Sequence, residues 1–186
     1  GMAWAERAGN HKQRLSALRM LAAAQVSRGD VDSGKALLQE ALSEARRLGL
    51  RLVEGYTLTT LSVAANAQND ALELLELTRQ SLEIYQEIGE LRGQTCALGN
   101  LGTAWLGLGD LAEARRYSEQ ALRVARAYGD RFLEANPLCA LSGIALYQDE
   151  NARALSLAQS ALDIVAATQA RSWEAFALLR LGDAEL

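Results

Sequence analysis

The fold is decided by a stretch in the middle of the chain, residues 98–114, which reads LGNLGTAWLGLGDLAEA. Within it Leu101, Trp105 and Leu108 recur at four- and three-residue steps, as apolar residues do on one face of an α-helix. Gly109 is typical of the left-handed position that ends a helix. The stretch therefore predicts a helix, here called helix A, that stops at a tight turn before a second helix, helix B.

This two-helix pattern recurs with a period of 40 residues, which is the signature of a repeat protein. The series that show it are Gly9, Gly49, Gly89 and Gly129; Leu18, Leu58, Leu98, Leu138 and Leu178; and Leu21, Leu61, Leu101, Leu141 and Leu181. The period predicts repeats at 10–49, 50–89, 90–129 and 130–169, all in one solenoid domain. We interpret residues 1–9 as a tag remnant plus the tail of a preceding helix B, and residues 170–186 as a truncated helix A of a fifth repeat.

The composition agrees with an all-α fold and excludes several classes of protein. Of 186 residues, 49% are hydrophobic, 5% are aromatic and one is proline, a combination that favours helices over β-sandwiches or disorder. The net charge of −4 disfavours a nucleic-acid surface. No apolar run approaches the roughly 18 residues that span a bilayer. Cys96 and Cys139 are typical of reduced thiols in a cytoplasmic protein.

Acidic residues after the turns predict where helix B begins. Asp110 with Glu113, and Asp70 with Glu73, have the spacing of a capping box, in which each side chain binds a backbone N–H of the other residue. Asp30 is predicted to cap its helix without such an acidic partner.

Pro137 lies inside the predicted helix A of the fourth repeat. Proline lacks a backbone N–H and clashes with the preceding turn. We therefore expect a kink or a delayed helix start around residues 133–136.

The motif L-G-x-x-W, followed by GDLAEA and QAL, resembles the tetratricopeptide repeat; it stands here at Leu101–Gly102, Trp105, Gly109–Ala114 and Gln120–Leu122. The resemblance implies a right-handed α-α superhelix of antiparallel helix pairs. A period of 40 rather than about 34 is similar to the long-helix variety. That variety is common in large bacterial signalling and transcriptional regulators, and it also occurs in eukaryotic cargo and polarity adaptors.

The last stretch of the chain carries apolar residues where a solenoid normally has a polar capping face. We therefore expect the chain to be a fragment of a longer protein. The truncated repeat faces would also allow end-to-end self-association.

In the tetratricopeptide family helix A lines a concave groove in which ligands bind. The resemblance therefore implies a set of groove residues on successive helices A: Arg19, Met20, Tyr56, Thr59, Thr60, Asn66, Asn100, Thr103, Leu106, Asn136, Tyr147, Phe176 and Arg180. This groove is nearly uncharged and lacks the lysines with which some family members clamp an acidic peptide C-terminus. A neutral groove favours an apolar or amphipathic helix, or an extended peptide.

The sequence offers little catalytic chemistry. His11 is the only histidine, so zinc sites that need two histidines are excluded. A phosphate-binding P-loop needs a preceding strand and the ending GK[ST], and the sequence has neither. We expect no metal, no cofactor and no enzyme activity. The leading hypothesis is a cytoplasmic, non-catalytic scaffold that binds a protein, a peptide or other domains of its own chain, without contacting nucleic acid or membrane. The alternative is a sensor that binds a small effector or peptide in an open groove, and an enzyme is the remote third possibility.

Overall fold

The computed structural model describes residues 2–168, with side chains from residue 10 to residue 167, and every regular element in that range is helical. The helices are α1 (Met2–Ser27), α2 (Val31–Arg47), α3 (Arg51–Ala67), α4 (Ala71–Ile88), α5 (Leu91–Gly107), α6 (Leu111–Tyr128), a 3₁₀ helix (Arg131–Glu134), α7 (Ala135–Tyr147) and α8 (Asn151–Thr168). None of the described helices is both long enough and apolar enough to cross a membrane. Helix α1 runs without a break through Gly9, so residues 2–9 continue the first helix A.

The chain forms two compact units, Gly1–Gly89 and Glu90–Leu186. In the first unit α1 packs on α2, α3 packs on α4, and α2 and α1 both contact α3. The second unit has the same plan, in which α5 pairs with α6, α7 pairs with α8, and α6 and α5 both contact α7. Each unit therefore contains two helix pairs, and its two helices A lie next to each other.

Every turn between two helices contains a residue with a positive φ angle. These residues are Gly29, Gly49, Asn69, Gly89, Gly109, Gly129 and Asp149. Glycine adopts this conformation without strain, and asparagine and aspartate tolerate it better than other residues. The turns therefore explain Gly49, Gly89 and Gly129 of the glycine series, whereas Gly9 of that series lies inside α1.

Two of the predicted helix caps form, but the reciprocal half of the capping box does not. The N–H of Glu73 donates to Asp70 Oδ1 (2.9 Å), and the N–H of Glu113 donates to Asp110 Oδ1 (3.0 Å). The N–H of Asp110 is already bonded to the Trp105 carbonyl (3.0 Å), which closes the preceding helix.

The prediction that Asp30 caps α2 with its side chain is wrong. Asp30 occupies the N-cap position, but its carboxylate makes no cap hydrogen bond.

The predicted effect of Pro137 is confirmed. A 3₁₀ helix occupies Arg131–Glu134, and α7 begins only at Ala135. Pro137 therefore lies in the first turn of α7, where a backbone N–H has no partner within the helix and its absence costs little.

Ion pairs join the end of one helix pair to the start of the next in both units. Arg46 Nε lies 3.0 Å from Glu54 Oε1, and Arg126 Nε lies 3.1 Å from Glu134 Oε2. These pairs occupy the same positions in their units, 80 residues apart. Glu54 is 6% exposed and also accepts from Arg51 Nη1 at 2.7 Å, so this buried carboxylate has two cationic partners at the junction.

The two kinds of N-cap make a matched test. Replacing Asp110 with alanine should lower the free energy of unfolding by about 1 kcal/mol, because the N–H of Glu113 loses its acceptor. The same replacement at Asp30 should cost clearly less, since no cap bond is lost. Urea unfolding followed by circular dichroism measures both, and equal losses would contradict the role of the Asp110 side chain.

The crossing of α5 and α6 at Gly102 is a second test. A Cβ atom there would meet Ser118 Oγ well inside van der Waals contact. The better helix propensity of alanine is worth about 1 kcal/mol, whereas overpacking a core costs about 1–3 kcal/mol. We therefore expect Gly102→Ala to lower the free energy of unfolding.

The double variant Gly102→Ala with Ser118→Ala removes the clashing oxygen, which is buried and has no hydrogen-bond partner among the described residues. It should be more stable than Gly102→Ala alone. If the single variant were as stable as the parent chain, the proposed close approach would be wrong.

Candidate functional site

The predicted groove residues are distributed over both units. Those of the first unit are Arg19 and Met20 on α1, and Tyr56, Thr59, Thr60 and Asn66 on α3. Those of the second unit are Asn100, Thr103 and Leu106 on α5, and Asn136 and Tyr147 on α7. Phe176 and Arg180 lie outside the described residues.

In the first unit α1 and α3 bring Arg19, Tyr56 and Thr60 together. The guanidinium carbon of Arg19 lies 5.6 Å from the centroid of the Tyr56 ring, within the range of a cation–π interaction. Arg19 Nη1 donates a long hydrogen bond to Thr60 Oγ1 (3.4 Å), and that hydroxyl donates to the Tyr56 carbonyl (2.9 Å). The ring and the hydroxyl thus hold the half-buried arginine over α3.

Exposed apolar side chains flank this cluster. Met20 follows Arg19 on α1 and is 66% exposed, and Val63 lies one turn after Thr60 on α3 and is 48% exposed. We call the surface formed by Arg19, Met20, Tyr56, Thr60 and Val63 the α1–α3 face. It combines one cation, one aromatic ring, one hydroxyl and two apolar side chains.

A buried tyrosine supports this face from below. Tyr85 on α4 is fully buried, its hydroxyl lies 2.9 Å from Thr59 Oγ1, and its ring centroid lies 5.7 Å from that of Tyr56. Thr59 therefore contacts the interior as well as the surface. The tyrosine ring packs on Gly55, where a Cβ atom would come within 2.8 Å of it.

Sequence reasoning missed Tyr85, although a signal was present. The equivalent positions in the neighbouring repeats hold Ala45 and Ala125. A single large residue in a series of small ones indicates that its partner must be small, and Gly55 is that partner.

In the second unit Asn136 and Cys96 line a small apolar cavity between α5 and the start of α7. The cavity has a volume of about 50 Å³ and is also lined by Thr95, Phe132, Leu133 and Ala135. Burial raises the pKa of the Cys96 thiol above its ordinary value, because a buried thiolate would lose its hydration. The thiol is therefore protonated and a poor nucleophile at neutral pH.

The other groove residues differ in exposure. Thr103 Oγ1 donates to the Gly99 carbonyl (3.2 Å), and Leu106 is partly buried against a core cluster of α6 and α7. Asn100 is half-buried, whereas Tyr147 is 70% exposed at the end of α7. Asn66 is exposed at the end of α3.

In the part of the chain that the structure describes, no three histidine, cysteine, aspartate or glutamate side chains are grouped so that they could hold a metal ion. His11 Nδ1 lies 3.2 Å from Glu44 Oε1 on α2. Glu44 also pairs with Arg14 and Arg47, so His11 lies beside a small cluster of ion pairs.

The family model of the tetratricopeptide repeat matches residues 93–167. No curated protein matches the sequence of the chain.

Solved structures match the fold at low sequence identity. A signal transduction ATPase with numerous domains and a tetratricopeptide repeat sensor, from Pyrococcus horikoshii, is 17% identical with a TM-score of 0.71, over 92% of this chain and 27% of that chain. A protein from Podosopora anserina described as a kinesin light chain with nearly identical tetratricopeptide-like repeats is 18% identical in a single-substitution form, with a TM-score of 0.66 over 94% of each chain. A further structure of that protein is 16% identical with the same TM-score.

The chain thus spans about a quarter of the length of the archaeal ATPase. Likenesses at these identities bear on the fold, and they confirm the predicted class, an all-α tetratricopeptide-like α-α superhelix. In sequence, the match to the tetratricopeptide repeat covers residues 93–167, which lie in the second unit.

Proposed function

We propose that the chain is a non-catalytic scaffold that binds a peptide or helix of a protein partner on its helices A. The proposal includes the repeats at 10–49, 50–89, 90–129 and 130–169, and the concave groove that the family forms from such repeats. Its coarser part, a protein-interaction scaffold, is supported by the tetratricopeptide match at residues 93–167 and by the tetratricopeptide-like fold. The observation that supports the finer part is the α1–α3 face.

The chemistry of this face suits a peptide. Met20 and Val63 expose apolar side chains on adjacent helices, and the half-buried Tyr56 offers a ring at low cost in conformational entropy. Binding interfaces combine such apolar and aromatic contacts with a few polar groups that fix the orientation of the ligand. On this face Arg19 and Thr60 supply those polar groups.

We further propose that the chain is one segment of a larger bacterial regulatory protein located in the cytoplasm. The fold of the archaeal ATPase with a tetratricopeptide repeat sensor supports the regulatory part of this proposal, since a segment of that protein matches 92% of this chain. In such a protein the partner could be another domain of the same polypeptide.

The test of the binding face uses a random library of twelve-residue peptides displayed on phage and selected against the chain. Selected peptides should bind with micromolar dissociation constants. Met20→Asp should raise these constants at least tenfold, because it places a charge in the apolar contact. Fluorescence anisotropy with labelled peptides measures the change.

Leu72→Asp is the matched control, because Leu72 is a similarly exposed apolar residue (68%) that lies on α4, a helix B. It should leave the dissociation constants within about twofold, in line with the near-neutral effect of contacts outside a binding hot spot. If the library yielded no peptide that Met20→Asp weakens, the α1–α3 face would not be the binding site.

A further inference from the structure

We infer that the α1–α3 face recognises a side-chain carboxylate of an internal aspartate or glutamate, which pairs with Arg19 while a neighbouring apolar residue of the same peptide packs on Met20 and Val63. This inference rests on the proposed function and adds the chemistry of the partner. It changes the expectation from the sequence, in which the groove is nearly neutral.

The first argument is the state of Arg19. Within residues 10–167, where side chains are described, no carboxylate forms an ion pair with it; its contacts are the Tyr56 ring and the Thr60 hydroxyl. A guanidinium has five N–H donors in a planar fork. The one hydrogen bond of Arg19 is 3.4 Å long, so most of its donor capacity is open to a ligand.

The second argument is the contrast with other arginines at helix contacts. Arg46 and Arg51 share the carboxylate of Glu54, and Arg126 pairs with Glu134. These three arginines at the junctions between helix pairs therefore have carboxylate partners within their own unit. Arg19 is half-buried and held in place by an aromatic ring, yet no carboxylate of the described chain neutralises it.

The third argument is the geometry of the support. Thr60 and Tyr56 limit the rotamers of Arg19, and Tyr56 is in turn held by the buried ring of Tyr85. A positioned guanidinium loses less conformational entropy when it pairs with a carboxylate in the two-pronged geometry that suits it. This arrangement favours a planar carboxylate over a neutral amide.

The apolar surroundings indicate which carboxylate. Along α3, Tyr56 lies one turn before Thr60 and Val63 one turn after it. Arg19 lies over Tyr56, so an apolar residue of the peptide that packs on Val63 leaves the side-chain carboxylate of a nearby residue within reach of Arg19. The proposal therefore places the carboxylate on a side chain of the peptide, next to its apolar residue.

The test selects the same phage library on the parent chain, on Arg19→Gln and on Arg79→Gln. Arg79 is exposed on α4 and serves as the charge-matched control. Aspartate and glutamate should be enriched in peptides selected on the parent chain and on Arg79→Gln, and this enrichment should disappear on Arg19→Gln. Circular dichroism and urea unfolding verify that each variant is folded.

A second measurement uses one selected peptide made in two forms, with its acidic residue present or replaced by the matching amide. The amide form should bind the parent chain about tenfold more weakly, and the difference should shrink at high salt because ions screen exposed pairs. On Arg19→Gln the two forms should bind equally. Arg19→Lys, which keeps the charge but lacks the planar fork, should restore part of the preference.

The outcomes separate this inference from the proposed function. Peptides that depend on Met20 but show no acidic preference, or an acidic preference that survives Arg19→Gln, would overturn carboxylate recognition and leave the binding face standing. Peptides that depend on neither Met20 nor Arg19 would overturn both.

Discussion

Helix A and helix B of each pair approach so closely that the side chains at their crossing must share a limited volume, and the rest of the structure depends on this constraint. In the first pair Leu15 packs in one cluster with Ala45. In the second pair the sizes are exchanged, and the Tyr85 ring fills the space over Gly55. A dense core tolerates such exchanges only when the total volume is kept, so a large residue on one helix requires a small one on the other.

The candidate site is a consequence of how that volume is divided. Because Gly55 leaves room for it, the Tyr85 ring reaches Tyr56 and Thr59, and Tyr56 in turn carries the guanidinium of Arg19. In the second unit the equivalent helix A residues, Thr95 and Ala135, are both small and both line the cavity beside Cys96. The first unit therefore has the Arg19 guanidinium held on an aromatic ring, and the second unit has a small apolar cavity beside Cys96.

Features that depend on neighbours in the sequence were predictable, whereas those that depend on distant side chains were not. The cap at Asp110 and the late start of α7 before Pro137 follow from local backbone chemistry. The failed cap at Asp30 was not predictable, since the same residue type at the same turn leaves its carboxylate out of the cap. Tyr85 was predictable only from a comparison of repeats, because its contacts lie 26 and more residues away along the chain.

The charge at the candidate site likewise depends on contacts between distant side chains and not on the composition alone. Counting residue types makes the helix A surface nearly neutral and the whole chain acidic at −4, but the electrostatic field at a site depends on which charges already have partners. The buried Glu54 pairs with Arg46 and Arg51, and Arg51 also pairs with Glu87, so two carboxylates balance these two cations at their own junction. Arg19 has no such partner in the described chain and lies against a low-dielectric aromatic surface, where a charge acts more strongly than in water. A surface with one unpaired, positioned cation among apolar side chains is therefore selective for acidic ligands, even in a protein whose net charge is negative.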